Sequence, residues 1–311
     1  MGEECTSLII RNTDGARHPD RNPNHKRLGS SHSFAASKGV THFLYEWPPS
    51  LLSNMLCEVT DLPMDVPYFT VDGNQESAQT VAVNQEELLS RMDPGYHLMM
   101  AHLKNVGNDF KKLGEYLDSC ARGYGFYGDD RSLLTRNGDL EYIHSVDIRD
   151  FVIRQSPQRS MVTAKIGRQH QRALIRKGDL LLVRVGKGCV GRCAIVTWLT
   201  NAFASDCVYV LSSKRIDLYY LCLYLNTPFS KKYFDTCTRG VCSRYITKVD
   251  LMAMPLYLPE KKVIRRLSRA FKNILGKTSP SCVSEDQLKD TLALVNELNV
   301  LISSTIENGD R

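Results

Sequence analysis

The sequence predicts an α+β fold: a domain with a curled mixed β-sheet, followed by C-terminal helices that pack as a helical hairpin or coiled coil. Three observations lead there. Between Tyr142 and Pro259, short apolar runs alternate with turns containing glycine and aspartate, the mark of strands. One helical pattern, Ile216 to Asn226, interrupts them, and Thr227–Pro228 is expected to end it. After Pro259 the apolar residues recur at three- and four-residue spacing to the end of the chain.

Taken in order, residues 1–40 are rich in Asn, Arg, His, Gly and Ser, and read as a flexible arm. Short apolar segments follow at Phe43 to Trp47, Leu51 to Val59 and Val66 to Val71, broken by prolines, which predicts a small strand-containing region. Asn84 is placed to cap a helix over Glu86 to Met92, and a second helix is expected from Tyr96 to about Leu117. The strand expectations are Tyr142–Ile143, Phe151–Ile153, Leu180–Val185, Arg192–Trp198 and Cys207–Leu211. Toward the end, Val263, Leu267, Ala270, Phe271 and Ile274 mark one helix that stops at Gly276. Leu288, Leu292, Val295, Leu298 and Ile302 mark another, beyond the break at Ser279–Pro280–Ser281.

With 311 residues, the chain can bury the core of one large domain or two small ones. Its 42% hydrophobic and 24% charged residues exclude collagen-like, mucin-like and wholly disordered classes. No apolar run reaches membrane-spanning length, and the first residues lack the pattern of a secretory signal. The ten cysteines are scattered, so reduced thiols in a cytoplasmic protein are expected.

The net charge of +6 hides an asymmetry. Residues 1–150 hold 14 Lys/Arg against 22 Asp/Glu, or −8; residues 151–311 hold 26 against 12, or +14. A basic half favours a polyanionic partner, because each cation that meets a phosphate releases a condensed counterion. The densest stretch, Arg154 to Lys177, carries seven cations and no acid, with Gln155, Gln158, Gln169, His170 and Gln171 interleaved. Arginine binds phosphate or reads guanine bidentately, and glutamine pairs with adenine, so the mixture suits DNA readout. A solvated basic loop without a ligand is the competing reading.

Several familiar motifs fail on inspection. Gly186–Lys187–Gly188–Cys189–Val190–Gly191 matches a dinucleotide fingerprint, yet the β-branched run after it reads as a strand, which makes a glycine-rich hairpin the better account. Trp47–Pro48–Pro49–Ser50 lacks the polar and aromatic ends of an amino-methyltransferase motif. Cys189/Cys193 and Cys237/Cys242 are better read as buried thiols than as zinc ligands. Asp147 and Asp150 lack the lysine partner a nuclease site needs. No catalytic group, metal ligand or cofactor is assigned.

From about Leu113 to Pro259 the chain resembles the target recognition domain of type I restriction–modification specificity subunits, a domain also fused to some adenine-specific DNA methyltransferases. The resemblance rests on an ordered set of strings. These are Lys112 to Leu117, the glycine-bearing Gly123 to Gly128, Gly138 to Ile143 and Val146–Asp147–Ile148, then Ile175 to Arg184, which carries the strongest match. Val190 to Val196, Ala204–Ser205–Asp206, Leu218 to Thr227, Ile246 and Leu251 to Pro259 complete it. Residues 88–117, with Arg91 to His97, resemble the linker before the domain in the fusions. A full specificity subunit has two such domains and two long helices. This chain therefore resembles a half-subunit that would dimerise, or a detached methyltransferase C-terminus. Glu260–Lys261–Lys262 also stands where the family has Glu-Gln, and the last helices are shorter than a full spacer.

The domains implied are an arm over 1–40, a small N-terminal region with a linker helix over 41–111, a DNA target recognition domain over 112–259, and spacer or dimerisation helices over 260–306. The function implied is sequence-specific binding of double-stranded DNA without catalysis. The partners implied are a DNA methyltransferase subunit, a restriction or translocase subunit, and a second copy of the chain through the C-terminal helices. Candidate phosphate contacts are Arg154, Arg159, Lys165, Arg168, Arg172, Lys187 and Arg192. Candidate base readers are Gln155, Gln158, Gln169 and Gln171, with Arg239 and Arg244 from the loop Thr238 to Tyr245. The alternatives are a restriction endonuclease or methyltransferase with an unrecognised N-terminal site, and a helix-mediated interaction protein that binds no DNA.

Overall fold

The computed structural model describes residues 110–149, 151–156, 158–199, 201–240, 243–276 and 283–309. Before these it describes strands at 8–13, 35–36, 40–45, 65–71 and 78–84, and helical residues at 96, 97, 99, 100 and 103. The chain forms two compact units, Met1–Lys104 and Asn105–Arg311.

In the first unit, β1 (Leu8–Thr13), β2 (Ala35–Ala36), β3 (Val40–Tyr45), β4 (Asp65–Val71) and β5 (Ala78–Asn84) form one sheet in the order β2-β3-β1-β4-β5. Strands β1 and β4 run parallel, and the other neighbours are antiparallel. Two of these strands fall in the segment expected to be a flexible arm. Leu8–Ile9–Ile10, apolar and partly β-branched, is the local reason for the first. The expected segments Leu51 to Val59 and Glu86 to Met92 lie outside the described residues.

The second unit opens with β6 (Phe110–Lys112), so the helix expected to reach Leu117 ends before it. A 3₁₀ turn over Leu113–Tyr116 leads to β7 (Ser119–Arg122). Next come β8 (Leu140–Ile143), β9 (Ile148–Arg149), β10 (Val152–Ile153) and β11 (Met161–Val162). The short helix α1 (Ala164–Gln169) precedes β12 (Leu174–Ile175), β13 (Leu180–Val183), β14 (Cys193–Ile195), β15 (Ala202–Ala204) and β16 (Val208–Ser212). Helices α2 (Leu218–Leu225), α3 (Pro228–Cys237) and α4 (Lys248–Met252) follow, then β17 (Pro255–Tyr257), α5 (Lys261–Gly276) and α6 (Glu285–Gly309). The expected α+β class is the observed one.

The curl resolves into two four-stranded sheets, an antiparallel β14-β13-β16-β7 and a mixed β11-β8-β15-β12. Alternation of side chains shows how they meet. Leu181 and Val183, with their cross-strand partners Ala194, Val210 and Val208, share one buried cluster with Ile143, Ile175, Ala202 and Ala204 of the mixed sheet. That cluster is the core between the sheets. The alternate residues of the mixed sheet, Leu140, Tyr142, Val162, Leu174 and Phe203, turn the other way, into a second cluster with Phe126, Ile166 and Ala173. Thus α1 and the 3₁₀ turn Gln171–Ala173 cover the outer face of the mixed sheet.

Because β13 is covered on both faces, all four of its residues are fully buried, as its unbroken apolar run requires. The far side of the sheet meets α2, where the thiol of Cys193 on β14 lies 3.6 Å from the Cys222 carbonyl. Helix α2 is apolar all round and buried from Tyr220 to Leu225, sandwiched between β14 and the helices α5 and α6. Thr227–Pro228 ends it as expected, but the same pair starts α3. The Thr227 hydroxyl caps Ser230 N–H at 3.2 Å, and Pro228 occupies the first turn, where no N–H is needed.

Two closures finish the unit. Strands β6 and β17 pair antiparallel, from Phe110↔Tyr257 to Lys112↔Pro255. Helix α6 begins at a reciprocal capping box, in which Ser284 Oγ accepts from Gln287 N–H and Gln287 Oε1 accepts from Ser284 N–H. It packs on α5, α2 and α3 through Thr291, Val295, Leu298 and Ile302.

Candidate nucleic-acid interface

The basic stretch from Arg154 onward divides between two supports. Its later part forms the outer cover of the mixed sheet. Asp139 caps α1 by accepting from Ala164 N–H at 2.7 Å, and Gly167 sits where a Cβ would lie 2.4 Å from Leu140 Cδ1. That close approach presses the helix onto the sheet and turns Lys165, Arg168 and Gln169 outward, all exposed. His170 follows, stacked on Tyr124 with ring centroids 3.8 Å apart and planes 24° from parallel. Gln171 and Arg172 stand exposed on the next turn. Arginines and glutamines are thus presented from a braced platform rather than a free loop.

The earlier part behaves differently. Arg154, Gln155 and Gln158 are exposed, but Arg159 is not. Its side chain, 3% exposed, pairs with Glu141 and with Asp147 at 3.4 Å, and donates to the Arg154 carbonyl. The expectation of a phosphate contact at Arg159 is corrected: two carboxylates already hold it, and it ties the loop to β8 and to the turn Ser145–Asp147. A cation this enclosed does not reach a polyanion outside.

A second group gathers around the glycine-rich hairpin between β13 and β14. Lys187 lies at its tip and Arg192 at its base, both exposed, and Arg192 donates to the Gly188 carbonyl at 3.1 Å. Gly191 has φ +87 and a Cβ there would lie 2.3 Å from the Phe234 ring, so both backbone and space demand glycine. The loop with Arg239 and Arg244 joins this hairpin by main-chain bonds. Gly186 N–H donates to the Arg244 carbonyl at 2.9 Å, and Ile246 N–H to the Arg184 carbonyl at 2.9 Å. Their side chains are partly engaged: Arg239 pairs with Asp250 at 3.4 Å and Arg244 donates to the Asp235 carbonyl at 2.9 Å. Arg239 keeps 41% of its side chain exposed.

Several neighbours were not foreseen. Arg149, exposed on β9, acts together with Arg192 on the Cys189 thiol, whose pKa burial nonetheless raises. Asp206 accepts from Arg122 at 3.0 Å and from the Tyr127 hydroxyl. Burial alone would raise the Asp206 pKa, but these two donors outweigh it and hold the carboxyl below its usual range. Tyr127 is itself 62% exposed, an aromatic face fixed at the surface by its own hydroxyl. The signal for Tyr124 and Tyr127 lay in the run Gly123–Tyr124–Gly125–Phe126–Tyr127–Gly128, whose three aromatics are interspersed with three glycines.

Cys189 and Cys193 are free thiols, and among the described residues no group of three or more His, Cys, Asp or Glu is placed to hold a metal ion. No helix among the described residues is long and apolar enough to cross a membrane.

No protein-family model matches the chain, and no curated protein matches it. Among solved structures, it is similar to the type I restriction–modification S subunit from M. genitalium, with 14% identity, TM-score 0.38, and 55% of this chain against 41% of that one. It is similar to the HsdS subunit from Thermoanaerobacter tengcongensis, with 16% identity, TM-score 0.39, and 68% against 51%. A third likeness is to the type IIL restriction–modification enzyme MmeI in complex with DNA, with 10% identity, TM-score 0.41, and 97% against 43%. The chain spans about half or less of the length of these solved chains.

Proposed function

We propose that the chain binds double-stranded DNA sequence-specifically, as the recognition component of a restriction–modification system, and catalyses no reaction itself. One observation carries the reading: Arg168, Gln169, Gln171 and Arg172 stand exposed on an outer layer packed onto the mixed sheet, whose central His170 is stacked on Tyr124. With their backbone already packed, these side chains can meet phosphates and base edges at the cost of their own rotamer freedom, without ordering a loop as well. Lys187, Arg192 and Arg149 form a second contact region, and Lys165, Arg154, Gln155 and Gln158 extend the first.

In this reading residues 112–259 are the recognition domain, and the helices over 260–306 are the spacer. That spacer docks a DNA methyltransferase subunit, a restriction or translocase subunit, or a second copy of the chain. The resemblance in sequence order supports the assignment to restriction–modification.

The test is a salt titration of binding to a randomised duplex pool, with sequencing of the bound fraction. An enriched half-site with a steep salt slope is expected. Salt-sensitive binding without enrichment would move specificity to a second subunit. Absence of binding would overturn the reading in favour of a helix-mediated interaction protein, and metal-dependent cleavage by the isolated chain would make it an enzyme.

A further inference from the structure

Helix α5 carries a charge pattern that the recognition reading does not use. Lys261, Lys262, Arg265, Arg266, Arg269 and Lys272 are all exposed, and the helix contains no acid. Its inner face is the apolar one, with Leu267, Phe271 and Leu275 buried. At 3.6 residues per turn, Lys262, Arg265, Arg269 and Lys272 fall within a narrow arc opposite that face.

An ordinary solvated helix mixes its signs and lets cations and anions pair at i, i+4. Here Arg265 and Arg269 stand at that spacing with like charge, which costs rather than gains. The adjoining α6 carries Glu285, Asp286, Asp290, Glu297 and Glu307. Among the described residues, only Arg266 of α5 pairs with one of them, Glu297, through two donors. Among the described residues, Lys262, Arg265 and Arg269 have no ion pair, and Lys272 lies over the Tyr219 ring at 5.7 Å. The fold therefore retains a concentrated, uncompensated cationic strip.

The strip suits an elongated polyanion. From Lys262 to Lys272 the helix rises about 15 Å. Phosphates of one strand follow one another closely along the backbone, so a rail of this length can meet a few of them at once. The helix also joins the framework of the candidate interface. Phe151, in the turn between β9 and β10, packs edge-on against Phe271 with centroids 5.8 Å apart, and β9 carries Arg149.

We propose that the outer face of α5 is a second DNA contact, a sequence-independent rail for the phosphate backbone beside the base-reading platform. This rests on the DNA-binding reading and adds a division of labour to it: the rail supplies affinity, and the platform supplies selectivity.

The experiment compares the full chain with its Arg265→Ala/Arg269→Ala variant in salt titrations on the randomised duplex pool, then sequences both bound fractions. The variant should lose about two from the salt slope and some tens of fold in affinity near 0.1 M salt, with the same sequences enriched. Arg265→Lys/Arg269→Lys should keep the slope. Both side chains are exposed, so unchanged thermal unfolding checks that the fold is intact. If the wild type binds and the Ala variant keeps its slope, the rail is overturned while the recognition reading stands. If that unchanged slope comes with lost binding to poly-L-glutamate, the face belongs to an acidic protein instead, and the proposal is likewise overturned. If the wild type binds no duplex, the recognition reading itself has failed.

Discussion

The strand β13 and the stretch from Arg154 to Lys177 lie in one unit and obey opposite rules. In β13 every side chain is enclosed, Leu181 and Val183 between the sheets, Leu180 and Leu182 on the face toward α2. In the basic stretch most charged side chains point to solvent, and the apolar residues between them, Ile166 and Ala173, hold the backbone down. The difference teaches where each kind of information sits. Fold is written in the residues that leave water, and binding in those that stay in it while their neighbours are anchored. Arg159 breaks the pattern, a cation recruited to the interior.

The contrast can be tested from its strongest term to its weakest. Leu182→Ala removes a fully buried side chain from the middle of β13. It should cost about 3–4 kcal/mol, read in denaturant unfolding. Arg159→Ala leaves Glu141 and Asp147 without their cation. Because Glu141 is partly solvated, the loss should be about 2–3 kcal/mol, or a melting temperature lower by roughly 5–10 °C. A result near zero would return Arg159 to the surface group.

A smaller effect comes from acid. The Asp206 carboxyl ionises more easily in the folded chain than in the unfolded one. Its contribution is therefore present above the ordinary carboxylate range near pH 4 and lost as pH falls through the lower folded value. Asp206→Asn should flatten that part of the stability–pH curve. Smallest in stability should be Arg168→Ala/Arg172→Ala, within about 0.5 kcal/mol of wild type, since both side chains are exposed. Its effect should appear in DNA binding alone, as a lower salt slope. A marked loss of stability would mean that these arginines serve the fold.

Legibility followed the same division. The runs Leu180–Val183 and Val208–Ser212 and the apolar α2 could be read as continuous apolar stretches bounded by turn residues, and the two terminal helices from apolar residues recurring at three- and four-residue spacing. Met161–Val162 and Leu174–Ile175 could not, since two residues show no alternation. Phe151 was expected in a strand, yet it occupies the hairpin turn at φ +67, a strained setting held by its packing on Phe271. Helix α3 escaped notice because a Thr-Pro pair signals both an end and a beginning. Of the thirteen candidate contacts, charge and amide chemistry could nominate all, but only the paired carboxylates, distant in sequence, decide that Arg159 is not among those facing outward.

The pairing of β6 with β17 has a consequence of another kind. Phe110 and Tyr257 sit opposite one another on a two-stranded ribbon, so everything between them leaves and returns at one doorway. A segment with adjacent ends can be exchanged between chains without moving what flanks it, because the gap a host must bridge is already the width of one strand pair. Recombination at that ribbon would replace the whole base-reading surface in a single event and leave α5 and α6 untouched, so a new preference could arise by transplant, without stepwise drift.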